Sequence, residues 1–269
     1  MHGLGNDFVV IDGINQSVNL SAAQLQFLAD RHFGVGCDQI LLVERPVSKN
    51  ADFRYRIFNA DGGEVSQCGN GARCFAKFVR DRKLTHKREI RVDTHAGQLV
   101  LLFDSPDSVR VNMGVPLHNP EQIPLQKDAC SKVYTLSINN RDYSFGAVSL
   151  GNPHAVIQVD DIDQAPVRET GPLIESHSLF PERVNVGFMQ ILDHGHIKLR
   201  VFERGSGETL ACGSGACAAA VIGIEWNKLE SPVRVDLRGG VLMIRWEGRK
   251  HPVYMSGPAA SVFEGKIQI

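Results

Sequence analysis

The chain has 269 residues, of which 43% are hydrophobic and 22% are charged, and this composition excludes a disordered or fibrous protein. Lys plus Arg (29) nearly balance Asp plus Glu (30), so a dominant electrostatic partner such as nucleic acid is not indicated. The longest apolar stretch, 216–224, is about half of what crosses a bilayer, and the amino terminus has no secretory pattern. We therefore expect a cytoplasmic protein of one large or, preferably, two smaller domains, with no membrane partner.

The predicted elements alternate along the chain. Ser21 and Gln24 hold capping-box positions before a helix over 22–31, in which Leu25 and Leu28 share a face. Alternating apolar and polar residues predict strands over 53–58 and 196–202, and each strand leads through a glycine-rich turn to a cysteine. Segments around 96–97 and 139–140 are typical of hairpins, and residues 113–117 resemble a crossover. After each cysteine the spacing predicts a buried helix face, formed by Ala72, Phe75, Ala76, Phe78 and Val79 or by Ala216, Ala219, Ala220 and Ile224.

An internal repeat organises these elements. Residues 56–76 align without a gap on residues 200–220, with nine identical pairs, and Cys68 falls opposite Cys212. A second match aligns Asn6 with Asn152 and Gln39 with Asn185. The repeat predicts an α+β fold of two similar domains related by a pseudo-twofold axis, each a mixed sheet curled around a central helix. We expect residues 1–112 to form the amino-terminal half, residues 258–269 to return to it, and residues 113–257 to form the carboxyl-terminal half, with a site between the halves.

The two aligned cysteines carry the chemistry. Each precedes glycines at the start of a helix, where several amide N–H groups lack intrahelical partners and can bind an anion such as a carboxylate. The positive helix end is expected to lower the pKa of the thiol. With one cysteine on each side of a carbon, Cys68 and Cys212 can remove a proton from one face and supply a proton to the other, while the amides stabilise the growing negative charge.

Other uses of the cysteines and glycines are disfavoured. Disulfides are not expected in a reducing compartment, and the cysteine spacings are too wide for zinc knuckles. No Gly-Lys-Ser/Thr follows the glycine-rich turns, which argues against a phosphate loop. A lone cysteine is commonly a small core residue, but repetition of the same setting argues against that interpretation for Cys68 and Cys212. The remaining four cysteines lack this context and are interpreted as structural: Cys37, Cys74, Cys130 and Cys217.

Seven short segments resemble the diaminopimelate epimerase family. They occur in order from residue 3 to beyond residue 217 and cover most of the chain. In this sequence they are Gly3-Leu4-Gly5-Asn6-Asp7-Phe8, Gly36-Cys37-Asp38-Gln39, Asn59-Ala60-Asp61-Gly62, Cys68-Gly69-Asn70-Gly71-Ala72-Arg73-Cys74, Gly151-Asn152-Pro153-His154, Glu203-Arg204-Gly205 and Ala211-Cys212-Gly213-Ser214-Gly215.

The resemblance implies interconversion of LL- and meso-2,6-diaminopimelate, a step towards lysine and cell-wall peptide, without pyridoxal phosphate or metal. It implies two similar α+β domains, an acid/base pair at Cys68 and Cys212, and a homodimer with Phe263 near the contact. His154 and Glu203 match residues that modulate the cysteines. An α-carboxylate cradle is implied at Gly69, Asn70, Gly213 and Ser214, and substrate-binding positions at Asn6, Gln39, Asn59, Asn152, Asn185, Glu203 and Arg204.

Two departures from the family pattern are visible. Family members usually carry a few residues before the segment that begins here at Met1, and these residues form the first strand, so we expect the edge of the first sheet to differ. Gly63 stands where a serine is common, which adds backbone freedom on the approach to Cys68.

Without the resemblance, the supporting residues have ordinary interpretations. An asparagine such as Asn185 is more often a turn or cap residue than a ligand. His154 is as readily a satisfied surface histidine, and Glu203 with Arg204 is as readily an exposed charged pair. Their position beside the second glycine-rich loop favours contact with a ligand, and one cation with several amides suits a substrate that has a second carboxylate and a second ammonium group.

Two rival functions follow from the same features. A two-cysteine racemase of the proline racemase group would have no use for Asn59, Asn185 and Arg204, because its substrate has no distal amino-acid head. A non-catalytic module that binds amino acids at paired helix ends would keep its ligand affinity when Cys68 is replaced by alanine.

Overall fold

The computed structural model describes residues 1–65, 68–95 and 97–269 and divides the chain into two compact units. The first unit comprises Met1–Asn112 and Ser256–Ile269, and the second comprises Met113–Met255. The chain thus re-enters the first unit two residues before the position expected from the sequence. Within the described ranges, no helix has both the length and the apolar character needed to span a membrane.

The first unit is a mixed sheet packed around one buried helix, α2. Strands β2 and β3 are parallel, as are β4 and β6, and the other neighbours β3–β4, β6–β7 and β7–β8 are antiparallel. Helix α2 packs against β1, β2, β3, β7 and β8. The elements are β1 (His2–Gly3), β2 (Asn6–Asp12), α1 (Ala22–Ala29), β3 (Gln39–Glu44), β4 (Phe53–Asn59), β5 (Glu64–Val65), α2 (Gly69–Asp81), β6 (Glu89–Thr94), β7 (Gly97–Ser105) and β8 (Ser108–Asn112).

The second unit follows the same plan around helix α4. Strands β11 and β12 are parallel, as are β13 and β15, whereas β10–β11, β12–β13 and β15–β16 are antiparallel. Its elements are a 3₁₀ turn (Pro120–Gln122), β9 (Tyr134–Ile138), β10 (Arg141–Ser149), β11 (Pro153–Gln158), α3 (Val167–Glu175), β12 (Asn185–Asp193), β13 (His196–Glu203), β14 (Gly207–Thr209), α4 (Gly213–Glu225), β15 (Val233–Leu237), β16 (Gly240–Arg245) and β17 (Tyr254–Gly257), which crosses the boundary between the units.

The repeat seen in the sequence recurs in the strand registers. In the first unit β2 and β3 pair Phe8 with Gln39, and in the second β11 and β12 pair His154 with Asn185. The ion pair of Arg56 with Glu64 recurs as that of Arg200 with Glu208. Both units are mixed α and β, which confirms the predicted α+β class.

The local predictions are largely confirmed, with informative differences. Helix α1 has the predicted capping box between Ser21 and Gln24, but it ends two residues early at Ala29. The reason is Asp30, which has extended backbone angles and whose carboxylate accepts from the amides of His32 at 2.7 Å and Phe33 at 2.8 Å. The hairpin at Asn139-Asn140 joins β9 to β10 by two residues with φ of 51° and 61°, as a type I′ turn requires. The other predicted hairpin includes Ala96, which lies outside the described residues.

Helix α4 differs from the prediction of a single buried face. Its residues from Gly215 to Gly223 are all buried, because the small side chains of the alanine-rich run allow strands to pack on every side of it. Gly146 in β10 shows how close this packing is, since a Cβ there would lie 2.5 Å from Ile222 Cγ2. A separate apolar core around Phe145, Phe180 and Phe188 fills the space between α3 and the outer side of the sheet.

The amino-terminal edge of the first sheet is paired. His2 and Gly3 form the short strand β1 antiparallel to β2. On its other side His2 forms a bridge to Ala260, with backbone N···O distances of 2.9 Å in both directions. The returning carboxyl-terminal segment therefore covers this edge.

Candidate active site

Each unit places its aligned cysteine at the N-cap of its buried central helix. Cys68 and Cys212 have extended backbone angles, with φ of −145° and −119°. The first intrahelical bonds run from Ala72 N to Cys68 O at 2.8 Å and from Ala216 N to Cys212 O at 3.0 Å. The amides of Gly69, Asn70, Gly213 and Ser214 belong to the first turns of the helices and precede these bonds. Both cysteines therefore stand at the N-terminus of a helix, as the sequence predicts.

The candidate residues around Cys68 in the first unit are organised by Asn6. Its Oδ1 faces Cys68 Sγ at 3.8 Å and Asn70 Nδ2 at 3.3 Å. Its Nδ2 donates to Asp38 Oδ2 at 2.9 Å. Asp38 in turn accepts from Arg31 Nη2 at 2.8 Å. Asn6 is therefore oriented from behind by a carboxylate that is itself held by a guanidinium.

The surroundings of Cys68 are tightly packed. Tyr55 is buried against α2 and donates its hydroxyl to Cys68 O at 3.4 Å. Burial raises the pKa of Tyr55 well above its ordinary value, so the hydroxyl stays protonated. Arg73 is fully buried, and it donates to Asn70 Oδ1 at 2.9 Å and to Pro258 O at 3.1 Å. The cysteine backbone and the Asn70 side chain are thus fixed by neighbours.

Two further residues predicted to bind substrate, Gln39 and Asn59, lie side by side in the first unit. They are register partners on β3 and β4, and Gln39 Nε2 donates to Asn59 Oδ1 at 2.8 Å. Both side chains are partly exposed. This pairing orients the Asn59 amide so that its Nδ2 points away from Gln39 and is available as a donor.

The candidate residues of the second unit form a chain of four polar side chains that ends at Cys212. His154 Nε2 lies 3.0 Å from Asn152 Oδ1, and Asn152 Nδ2 donates to Ser214 Oγ at 3.2 Å. Ser214 Oγ lies 3.6 Å from Cys212 Sγ, and the sulfur also accepts from Gly215 N at 3.4 Å. Because an amide oxygen only accepts, His154 Nε2 must carry the hydrogen in this chain.

His154 is buried, with 1% of its surface exposed, so the interpretation of it as a surface histidine is wrong. Burial, with a smaller contribution from the charge of Arg204, lowers the pKa of His154 from 6.5 to about 3. The ring is therefore neutral at pH 7, and it acts as a hydrogen-bond donor rather than as a cation.

The pKa of Cys212 moves in the direction opposite to the one expected from the helix end alone. Burial raises it well above its ordinary value, and the charge of the Glu203 carboxylate raises it further. Hydrogen bonds from Ser214 and from the amide of Gly215 act against this rise. Desolvation outweighs the helix end because Cys212 is only 4% exposed, whereas the helix end offers partial charges only. Ionisation of Cys212 therefore depends on the hydrogen bonds that act against this rise.

Asn185 and Arg204 are joined through the main chain. The buried Asn185 donates Nδ2 to Pro153 O at 2.9 Å and accepts at Oδ1 from Arg204 N at 3.0 Å, so its side chain holds two strand ends together. The exposed Arg204 donates Nη1 to Glu182 O at 3.0 Å. Glu203 accepts from Thr209 Oγ1 at 2.5 Å, which fixes its carboxylate near Cys212.

The other cysteines fit the structural interpretation with one exception. All six have reduced thiols, and Cys37, Cys74 and Cys217 are buried. Burial raises the pKa of Cys37 to about 11 and that of Cys74 to about 12, so both stay protonated. Cys130 is exposed, and its Sγ donates to His118 O at 3.4 Å, so it differs from the three buried cysteines that were also interpreted as structural.

Phe263 and three supporting residues complete the account of the predicted site. Phe263 lies in the carboxyl-terminal segment of the first unit and is 68% exposed.

Sequence reasoning assigned no role to Asp38, Tyr55 or Arg73. Asp38 and Arg73 lie inside the quoted motifs, which is a usable signal, whereas Tyr55 is one apolar position of an alternating strand and carries no signal.

Comparison with known proteins gives a consistent result. The family model described as "Diaminopimelate epimerase" matches residues 1–118 and 146–262. A diaminopimelate epimerase of Nitrosomonas europaea is 60% identical over 269 residues, covering 100% of this chain and 98% of the relative, and one of Nitrosospira multiformis is 57% identical, covering 100% and 97%. Among solved structures, a Bacillus anthracis phenazine biosynthesis protein of the PhzF family has a TM-score of 0.68 at 18% identity, covering 100% of this chain and 95% of the other. The last comparison shows a shared fold.

Proposed function

The chain belongs to the diaminopimelate epimerase family, and from this membership we propose that it interconverts LL-2,6-diaminopimelate and meso-2,6-diaminopimelate. It is an isomerase. The observation that carries the proposal is the repeated arrangement in which Cys68 and Cys212 each cap a buried helix, beside the amides of its first turn. The reaction serves the synthesis of lysine and cell-wall precursors.

The reaction requires two acid/base groups. One removes a proton from the α-carbon, and the other supplies a proton to the opposite face of that carbon. One cysteine thiolate removes the α-hydrogen as a proton and becomes a thiol, and the electron pair of the C–H bond remains on the substrate as a carbanion. The opposing thiol then gives its own proton to the other face of the same carbon and becomes a thiolate. The configuration is inverted, and the two cysteines exchange protonation states. Cys68 and Cys212 are assigned these roles.

The carbanion needs stabilisation, because an α-hydrogen of an amino acid is a weak acid. The amides of Gly69, Asn70, Gly213 and Ser214 are assigned to the α-carboxylate, where negative charge grows in the transition state. These donors belong to the first turns of helices packed inside each unit, so they need no reorganisation during the reaction. No pyridoxal phosphate or metal is included in this mechanism.

The distal end of diaminopimelate carries a second carboxylate and a second ammonium group. The exposed guanidinium of Arg204 is assigned to the carboxylate, and the oxygen and nitrogen atoms of Asn59, Gln39, Asn152 and Asn185 to the remaining contacts. Asn185 has both side-chain ends engaged by the main chain, and we therefore assign it mainly to positioning Arg204.

His154 and Glu203 are proposed to modulate Cys212. Glu203 carries a negative charge near the sulfur and favours the thiol, whereas His154 is connected to the sulfur through Asn152 and Ser214. We further propose a cytoplasmic homodimer in which the exposed ring of Phe263 lies near the contact between subunits.

Isotope incorporation tests the two-base mechanism. With one pure isomer in heavy water, early product should carry deuterium at the α-carbon, while recovered substrate stays largely protiated because its hydrogen returns from the cysteine that removed it. Cys68→Ala and Cys212→Ala should each abolish epimerisation and leave at most slow exchange of one isomer. Early product that is mainly protiated, or an alanine variant that epimerises at the parental rate, would contradict the mechanism. Turnover of proline in place of diaminopimelate would overturn the substrate assignment.

A further inference from the structure

Asn6 and Asn152 occupy equivalent positions of the repeat, yet they present opposite ends of their amides towards the cysteine of their own unit. In the first unit the amide oxygen faces Cys68. In the second unit the amide nitrogen faces Ser214, which lies against Cys212. An amide oxygen accepts and an amide nitrogen donates, so the surroundings of the two cysteines differ in polarity although the folds of the units repeat.

The orientation of Asn6 is set by Asp38. A carboxylate only accepts, so the end of Asn6 that lies 2.9 Å from Asp38 Oδ2 is its NH₂ group. The same carboxylate oxygen accepts from Asp7 N at 3.1 Å, and Arg31 holds the other oxygen at 2.8 Å. Oδ1 of Asn6 is thereby directed at Cys68 Sγ. A contact between this oxygen and sulfur is favourable for the thiol and repulsive for the thiolate.

The orientation of Asn152 is set by His154. The buried, neutral ring donates from Nε2 to Asn152 Oδ1, which turns Nδ2 towards Ser214 Oγ. Since Ser214 Oγ receives a hydrogen from Asn152, its own hydroxyl proton is available to Cys212 Sγ 3.6 Å away. A hydroxyl proton directed at sulfur favours the thiolate.

We propose that the repeated asparagine gives the two cysteines opposite proton preferences, with Asn6 favouring the thiol of Cys68 and Asn152, acting through Ser214, favouring the thiolate of Cys212. Both asparagines are positioning residues in this role. The inference rests on the proposed function, because a two-base epimerase must hold one thiol and one thiolate at the start of every turnover. An internal repeat alone would give two equivalent cysteines, and the asparagine orientation removes that equivalence.

Other charged and titratable groups also face the two sulfurs. Glu203 on β13 faces Cys212 and opposes the effect of Ser214. Tyr55 on β4 and Cys74 on α2 lie near Cys68, and Asp38 and Arg31 stand behind Asn6. The proposal therefore concerns the change that each asparagine makes against this unchanged background, and the test compares variants that leave these groups in place.

The test is the pH dependence of cysteine alkylation in the full-length protein. Iodoacetamide labelling is followed at Cys68 and Cys212 by peptide mass spectrometry from pH 6 to 10, with the exposed Cys130 as an internal reference. Asn6→Ala should move the Cys68 profile to lower pH, with roughly tenfold faster labelling on the rising limb. Asn152→Ala and Ser214→Ala should each move the Cys212 profile to higher pH by a similar factor.

A double-variant cycle separates the chain from a local packing effect. If Asn152 acts through Ser214, adding Asn152→Ala to Ser214→Ala should leave the Cys212 profile where Ser214→Ala alone puts it. Ser214→Thr keeps a hydroxyl and should keep the parental Cys212 profile. The comparison of Ser214→Thr with Ser214→Ala also tests the proposal if Asn152→Ala does not fold. Shifts of the same sign at Cys68 and Cys212, additive effects in the double variant, or equal profiles for Ser214→Thr and Ser214→Ala would each overturn the proposal.

The readout also distinguishes failure of this inference from failure of the proposed function. Alkylation does not require turnover, so opposite shifts in a protein that does not epimerise diaminopimelate would support the asparagine polarity and reject the activity. Epimerisation of diaminopimelate by the parent protein, together with unshifted alkylation profiles in Asn6→Ala and Asn152→Ala, would support the activity and reject the polarity.

Discussion

Gly71 in α2 lies directly over Tyr55 in β4, and a Cβ at position 71 would lie 2.5 Å from the tyrosine oxygen. That distance is too short for any side chain, so the first turn of α2 approaches the strand only because residue 71 is glycine. The hydroxyl beneath it donates to Cys68 O. The contact thus sets the height of Cys68 above the sheet.

Gly71→Ala is expected to destabilise the protein by about 1–3 kcal/mol, because Tyr55 or the helix must move in a close-packed core. Combined with Tyr55→Phe, which removes the clashing oxygen, the same substitution should cost less. Urea unfolding of the two single variants and the double variant measures the coupling. Strict additivity of the two free-energy changes would show that the contact does not carry the cost.

His154 should make stability depend on pH in acid. Its pKa is about 3 in the folded protein and 6.5 in an ordinary setting, so the folded protein binds fewer protons between these values. The contribution of His154 to the free energy of unfolding should therefore be greatest above about pH 7. It should be lost as the pH drops from 6.5 towards 3, by at most about 5 kcal/mol.

The matched comparison uses His154→Gln, which keeps a donor but cannot titrate. This variant should lose the part of the pH dependence that begins near pH 6.5, whereas His86→Gln, at an exposed position, should keep it. An unchanged slope in His154→Gln would mean that the buried ring is not the group responsible.

Arg204→Ala should reduce turnover of diaminopimelate far more than stability. A charge-assisted contact with the distal carboxylate is worth about 1.5–3 kcal/mol, which corresponds to a loss in kcat/KM of roughly 10-fold to 150-fold. Arg204→Lys should recover part of the loss, because the charge remains but the fork geometry is gone. Arg245→Ala, at another exposed position, is the control. Near-parental kcat/KM in Arg204→Ala would remove Arg204 from the site.

The two equivalent ion pairs of the repeat should differ in strength. The Glu208 side chain is 3% exposed and accepts from Arg200 at 2.7 Å, Arg168 at 3.0 Å and Arg238 at 3.1 Å, whereas that of Glu64 is 30% exposed. We expect Glu208→Gln to cost about 2–4 kcal/mol and Glu64→Gln less than about 1 kcal/mol, since screening by solvent weakens the latter pair. Equal costs in chemical denaturation at low and high salt would contradict this ranking.

Much of the fold could be predicted from the sequence because its signals are local. Patterns among neighbouring residues indicate the capping box at Ser21, the two-residue turn at Asn139-Asn140 and the strand before each cysteine. The end of α1 differs from the prediction because Asp30 satisfies amides that lie beyond the helix. The full burial of α4 was missed because periodicity cannot distinguish a helix covered on one side from a helix covered on all sides.

The sequence by itself determined the repeat, the helix start behind each cysteine, and the types of residue proposed to bind the carboxylates of the substrate. The tertiary structure alone decided that His154 is buried and neutral, that the pKa of Cys212 rises, and that Asn6 and Asn152 turn opposite ends of their amides towards the cysteines. The physical reason is the separation along the chain between the residues that determine each property. Helix caps, turns and strand alternation are visible in patterns of neighbouring residues, whereas desolvation and amide orientation depend on groups such as Asp38, 32 residues from Asn6 along the chain, and Ser214, 62 residues from Asn152.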